Sequence, residues 1–425
     1  VHSSRERGKP LRSPTPGSFS RRNLLRGTGL GLLAAGGIGT LSACGSSRDD
    51  AALQWWDYII EPERQAGVEA LIAEIEQAHP DIRIERRVFP YADLQPALLR
   101  GAISGELPDI AVVDTVQVGI LGGYGLLADL TEQVHRWGEA TNYVPAAWDA
   151  GVIDDRILSI PNNSNCLALI SNVDHLEEAG VEVPSDWAEL ATVGHALTTP
   201  EHRGLAVCAT ASEEGVFQFL PFLWQTGGDL ADFDTSGAEA LELQQQLVAD
   251  GVLSGQAVGW TQQDVAGQFI SGAASMMING PWQLPTLRAA EDLRFRVDPL
   301  PAGQTRASCL GGEGWTVIAG STKVDAAWRV IEYSQRREVL VPYLDTMGLL
   351  PARADLTDAG PWARDPELQI FLAELHHARP RAYGAAYPEI SNEVSRAHQT
   401  VLSDPDADPA AVAADAFTRI AGDLP

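Results

Sequence analysis

Apolar positions along the chain switch between two periods, one belonging to strands and one to helix faces. Leu53-Gln54-Trp55-Trp56 reads as a first strand, and Pro62 to Ala78 carries Val68, Leu71, Ile72 and Ile75 at helical spacing. Ile82 to Val88 follows as a strand and Leu94 to Ser104 as a helix. Pro108 to Val113 is then an apolar run of buried-strand length that ends at Asp114. Strand, helix, strand, helix, strand predicts a parallel sheet with helices on both faces. Ligands of such sheets sit outside the carboxyl ends of the strands, where Asp57 and Asp114 fall.

Polar residues from Ile160 to Asn165 interrupt this pattern before the apolar run Cys166 to Ile170, a suitable place for the chain to cross to another body. Beyond it, helices are predicted over Trp187 to Leu197 and Ala238 to Ala249, with strands over Leu205 to Ala209 and Ala274 to Ile278. A second α/β lobe is the simplest reading. Trp315 to Ala319 reads as a further strand and Asp325 to Gln335 as a helix. No repeat of 20–50 residues is visible. At 425 residues the chain has room for two or three such bodies.

Charge changes the picture at the amino end. Of 30 basic and 57 acidic side chains, seven basic and one acidic precede Cys44, which leaves 23 and 56, a charge of −33, for the rest. An acidic body argues against nucleic acid as a partner. The basic leader contains Arg21-Arg22 ahead of a Gly-, Ala- and Leu-rich stretch from Gly27 to Ala43, too short and too weakly apolar for a spanning helix. It resembles a twin-arginine export signal over residues 1–43. The stretch ends in Leu41-Ser42-Ala43-Cys44-Gly45, which resembles the lipobox of bacterial lipoproteins. That resemblance implies a diacylglycerol on Cys44 and anchoring on the outer face of the cytoplasmic membrane, with residues 44–50 as tether.

Cys166, Cys208 and Cys309 remain, an odd number that permits at most one disulfide within the chain. No C-x-x-C or H-E-x-x-H occurs, so neither a metal site nor a cofactor is expected.

Several segments, in this order, resemble the extracellular solute-binding proteins of ABC sugar importers, the group that includes maltodextrin-binding proteins. They are Gly105-Glu106-Leu107-Pro108-Asp109-Ile110, Gly125 to Leu130, Trp224-Gln225-Thr226-Gly227-Gly228, Gly272 to Trp282, Gly311-Gly312-Glu313-Gly314-Trp315 and Gly348 to Arg353. The resemblance implies an α/β, two-lobed periplasmic-binding-protein-like fold with discontinuous lobes joined by a hinge. The expected division is 51–163 with 312–335 in one lobe and 164–311 with 336–425 in the other. It further implies a non-enzymatic, monomeric protein that holds a mono- or oligosaccharide between the lobes and delivers it to an ABC permease.

Sugars offer apolar ring faces edged by hydroxyls, so aromatic platforms, short polar side chains and carboxylates are the residues to seek. Trp282, in Asn279-Gly280-Pro281-Trp282, matches a position that stacks on sugar in the resembled group. Trp56 and Asp57 end the first strand, where alternation lets one of Trp55 and Trp56 face inward and Asp57 either accepts a ligand or caps a helix. Asp114 and Arg353 match an acidic and a basic position of the group. Asn163 and Asn165 suit hydroxyl contacts from the hinge as well as turns. Glu214, Phe217 and Trp224 flank a helix start in the second lobe, and Gly312 and Glu313 stand where the chain crosses back. Arg381 and Tyr383 lie in a late loop that resembles one closing over ligand. Tyr58 replaces a lysine common in maltodextrin binders, which argues against long α-glucans.

Two other readings compete. A glycerol phosphate or glycerophosphodiester would need Arg353 and Arg381 converging in the cleft. A secreted glycosidase would need a carboxylate pair, Asp57 with Asp114 or Glu214 with Glu313.

Overall fold

A computed structural model describes residues 51–424, apart from 359, 382 and 385. The expected export signal, lipid-bearing Cys44 and tether lie outside the described residues. The first lobe opens with β1 (Leu53–Asp57), α1 (Pro62–Ala78), β2 (Ile84–Val88), α2 (Tyr91–Ser104), β3 (Ile110–Asp114) and α3 (Thr115–Gly123). β1 pairs in parallel with both β2 and β3. Alternation sends the strand side chains to two cores. Trp55, Ile110 and Val112 bury against α1 through Val68, Leu71 and Ile75, while Trp56, Ala111 and Val113 bury against Leu94, Leu98, Val118 and Leu121 of α2 and α3.

β4 (Ile160–Pro161) closes this sheet, and the chain then crosses to β5 (Ala168–Asn172), all of whose residues are buried. The second sheet adds β6 (Arg203–Ala206), β7 (Ala274–Asn279) and β8 (Phe295–Asp298) in the order β8-β5-β7-β6, with α4 (Glu213–Gln225) leading from its edge. After the short β9 (Ser308–Cys309) the chain returns as β10 (Glu313–Val317), which runs antiparallel to β3 and β4. The predicted all-parallel sheet is therefore mixed, because a strand entering from the other lobe arrives from the opposite end. β10 also begins two residues earlier than its apolar run suggests, which sets Glu313 opposite Asp114 in register. Trp315 meets Trp55 edge-on at 4.7 Å behind that pair.

α5 (Val324–Ser334) and α6 (Arg337–Met347) follow, and both pack on α1. α6, which the expected division assigns to the second lobe, thus packs on a helix of the first. Gly67 of α1 explains the contact, since a Cβ there would stand 3.1 Å from Thr346 and 3.2 Å from Met347. The chain crosses a third time near Leu350 before α7 (Pro366–Leu375) packs on the second sheet, and β11 (Ala378–Arg379) pairs with β9 ahead of α8 (Tyr387–Ser403).

The three crossings lie side by side. Asn165 and Gly311 exchange backbone hydrogen bonds of 3.0 and 2.9 Å, and the Ser164 amide donates to the Leu350 carbonyl at 2.9 Å. Gly312 has φ near +152° and passes so close to Asn163 that a Cβ would meet its carbonyl oxygen at 2.4 Å. A side chain at 312 would force these strands apart. Cys166, Cys208 and Cys309 are free thiols, all buried, so no disulfide links them.

Candidate functional site

A cavity of about 170 Å³ lies between the lobes at the carboxyl ends of β1 and β3. That is close to the ~150 Å³ that admits one six-membered carbon ring. Its first-lobe wall is built at strand ends. Asp114 closes β3 and caps α3, accepting the Val116 amide at 3.0 Å, and its other oxygen accepts the Tyr91 hydroxyl at 2.8 Å. Glu313, its register partner, accepts the Tyr58 hydroxyl at 2.9 Å. The two tyrosine rings meet edge to face at 5.0 Å. Burial, reinforced by these carboxylates, pushes both phenols well above their usual pKa, so each stays a donor.

Glu313 is 6% exposed, and its Oε2 has no hydrogen bond of ordinary geometry among the described residues, although the Asn163 side chain lies close enough to stabilise the carboxylate. Burial pushes its carboxyl upward, with Arg64 opposing. Arg64 itself is 4% exposed; Nη1 binds Glu61 at 3.2 Å, while Nε and Nη2 meet no acceptor among the described residues.

The second-lobe wall comes from α4 and from the segment after β7. Ser212 caps α4 by accepting the Glu214 amide at 3.3 Å. A carboxylate in the first turn of a helix is normally held low by the helix dipole. Burial wins here, aided by Asp264 and Glu61, and pushes the Glu214 carboxyl up to about 7. Phe217, one turn on, faces Trp282 at 6.2 Å. Trp282 is buried and its ring lies across Gly280, where a Cβ would fall 1.9 Å from the indole. Glycine at 280 is what lets the tryptophan lie flat against its own backbone while bordering the cavity. Asn165 joins the wall from the hinge, its side chain and the Phe217 ring filling the space beside Gly311.

The geometry thus gathers Asp114, Asn165, Glu214, Trp282 and Glu313 around one cavity. Seven other expected residues lie elsewhere. Trp56 turns to the opposite core, against Phe89 at 4.9 Å and under Arg87. Asp57 is taken by Arg86, through bonds of 2.6 and 2.7 Å, and by the Ile59 amide. Asn163 sits behind Glu313, beside a void of about 10 Å³ shared with Asp57 and Asn162. Gly312 turns its carbonyl to the Thr115 amide, a hinge role. Trp224 is a core residue whose indole donates to Tyr383 and Asp229, and Tyr383 is held in that same cluster. Arg353 is buried between Asp355 and Glu139 and donates to the Gln335 carbonyl, which ties the third crossing to the first lobe.

Arg381 does reach the cleft. It bonds Asp114 of the first lobe at 2.9 Å and Glu213 of α4 at 2.7 Å, lying 4.7 Å over the Phe217 ring. Tyr58, Tyr91 and Arg64 were not singled out by sequence as ligand contacts. The tyrosines obey the same strand-end rule that selected Asp57 and Asp114, Tyr58 following β1 directly and Tyr91 standing three residues past β2. Arg64 gives no such signal, since it occupies an ordinary position in the first turn of α1.

No group of histidine, cysteine or carboxylate side chains able to hold a metal occurs among the described residues, and no helix among them is long and apolar enough to cross a membrane. A family profile described as bacterial extracellular solute-binding protein matches residues 70–370. A lactose-binding protein of Rhizobium radiobacter is 25% identical over 276 residues, which cover 59% of this chain and 62% of that protein. The chain thus spans about three fifths of that relative's length. A maltotriose-binding protein of Pyrococcus abyssi is 23% identical over 85% of this chain and 79% of its own. Among solved structures, an ABC transporter solute-binding protein of Thermotoga lettingae bound with α-D-tagatose superposes with a TM-score of 0.82 at 23% identity, over 88% of this chain and all of that one.

Proposed function

The chain belongs to the bacterial extracellular solute-binding proteins, and from that premise we propose that it captures a mono- or oligosaccharide between its lobes and delivers it to an ABC permease. The carrying observation is a cavity walled by aromatic rings and lined by Arg64 and Glu313, two buried residues that each keep polar atoms without a partner among the described residues. Arg64 presents unmade donors and Glu313 an unmade acceptor. A buried polar group left unmatched costs about 1–3 kcal/mol, so the favoured ligand both donates and accepts. Hydroxyls do both, and Tyr58, Tyr91, Phe217 and Trp282 offer the faces against which a sugar ring packs. The lactose- and maltotriose-binding relatives agree with this chemistry. A cavity of about 170 Å³ encloses one ring, so any further sugar units would extend toward the opening.

The glycerol phosphate alternative has less support. Arg353 is committed to Asp355 and Glu139, and Arg381 is shared by two carboxylates through both terminal nitrogens, which leaves only its Nε unpartnered among the described residues. Catalysis by Asp57 with Asp114 has little support either, because Asp57 faces Arg86.

The test is thermal unfolding against mono- and disaccharides, polyols and glycerol phosphates. A cognate sugar at 100 times its Kd should add about 2.7 kcal/mol of stability. A shift confined to phosphorylated ligands would sink the sugar reading.

Export and anchoring through a lipid on Cys44 complete the proposal, resting on the lipobox-like Leu41 to Gly45. Labelled fatty acid fed to producing cells should appear in the protein, and Cys44→Ser should abolish the label and move the chain to the soluble fraction. Label retained by the serine variant would refute the anchor.

A further inference from the structure

The charges around the cavity do not balance. Glu61, Asp114, Glu214 and Glu313 line it, against Arg64 in the wall and Arg381 bonded to its edge. Both arginines are engaged: Arg64 holds Glu61, and Arg381 is divided between Asp114 and Glu213. Glu313 keeps an unpartnered oxygen at 6% exposure and has Arg64 for electrostatic company. Glu214 has neither. Its carboxylate makes no hydrogen bond or ion pair with any described side chain. The charged neighbours that act on it are Glu61 from the turn before α1 and Asp264 from the helix Gln262–Ile270, with the buried thiol of Cys208 nearby. Trp282 borders the same cavity with an aromatic ring, a surface that attracts a cation, while the Phe217 ring beside it already carries Arg381.

A neutral hydroxyl could satisfy the hydrogen bonding of Glu214 and leave the charge unanswered. An ammonium group answers both, because it carries three donors and a positive charge. We propose that the sugar taken into this cleft bears a protonated amine, seated against Glu214, while Arg64 and Glu313 receive its hydroxyls. The inference rests on the sugar-binding reading above and narrows it to amino sugars.

Calorimetric titration of the full-length chain with D-glucosamine, D-galactosamine and the deacetylated chitin disaccharide, each beside glucose, galactose or cellobiose as its neutral parent, tests it. At about pH 7.5 at least one amine should bind roughly tenfold or more tightly than its parent. Near pH 6.5, where Glu214 is largely protonated, binding should expel its proton, read as a difference between buffers of unlike ionisation heat. Glu214→Gln should bring the ratio of amine to parent affinity toward one and abolish the proton release, whereas Glu214→Asp should keep a preference for the amine. A neutral parent that binds as well as its amine, or better, overturns the inference and leaves the sugar reading standing. Binding of other neutral sugars with none of the three amines does the same, and failure of every sugar overturns both.

Discussion

Arg381→Ala is expected to destabilise the chain by about 3–5 kcal/mol, the cost of removing one partner from a buried charge network. Arg381 is buried and bridges Asp114, which ends β3 of the first lobe, to Glu213, which begins α4 of the second. Both carboxylates are otherwise well held. Asp114 accepts from Tyr91 and the Val116 amide, and Glu213 accepts from Tyr387 and Ser391. Without the guanidinium they would face one another across the cleft with no cation between them. Arg381→Lys should fall between, since an ammonium keeps the charge and loses the two-armed geometry. Denaturant unfolding measures the effect. Equal stability of wild type and alanine variant, within about 1 kcal/mol, would show that the bridge contributes little to holding the lobes together.

Trp282→Ala is expected to weaken ligand binding by about thirtyfold or more, which is roughly 2 kcal/mol and typical of a buried aromatic at the centre of a binding surface. The indole lies against Gly280 on one side and borders the cavity on another, with Phe217 across from it. Its loss removes the largest apolar face available to a sugar ring. Some loss of stability in the free protein should accompany the change, because Trp282 also belongs to the second-lobe core. Trp282→Phe separates the two effects, retaining a smaller face and part of the affinity. Affinity of the alanine variant within about threefold of wild type would reduce Trp282 to a packing residue.

The elements were legible in the sequence because their signals are local. Val68, Leu71 and Ile75 announce α1 by spacing alone, and the helix runs over Pro62–Ala78 as predicted. The strand ends shift by one to three residues where tertiary pairing decides them, as at β10, whose register against β3 draws Glu313 into the sheet. Cavity-lining residues were legible where position follows from a strand end or a quoted motif, as for Asp114, Glu313 and Trp282. They were illegible where a charge has two candidate partners far apart in sequence. Asp57 and Arg353 carry the right chemistry for a ligand, yet Arg86 reaches Asp57 from the neighbouring strand and Glu139 meets Arg353 from 214 residues away. No local pattern distinguishes such a charge from Arg381, which pairs across the cleft.

The sealed thiols bear on how the chain is made. Cys166, Cys208 and Cys309 are each buried and unlinked, and burial pushes all three well above the usual thiol pKa. Thiolate, the form that oxidises, is therefore scarce while the fold holds. Reducing and oxidising surroundings leave these three thiols in the same covalent state, so folding of the described residues calls for no disulfide oxidase or disulfide isomerase.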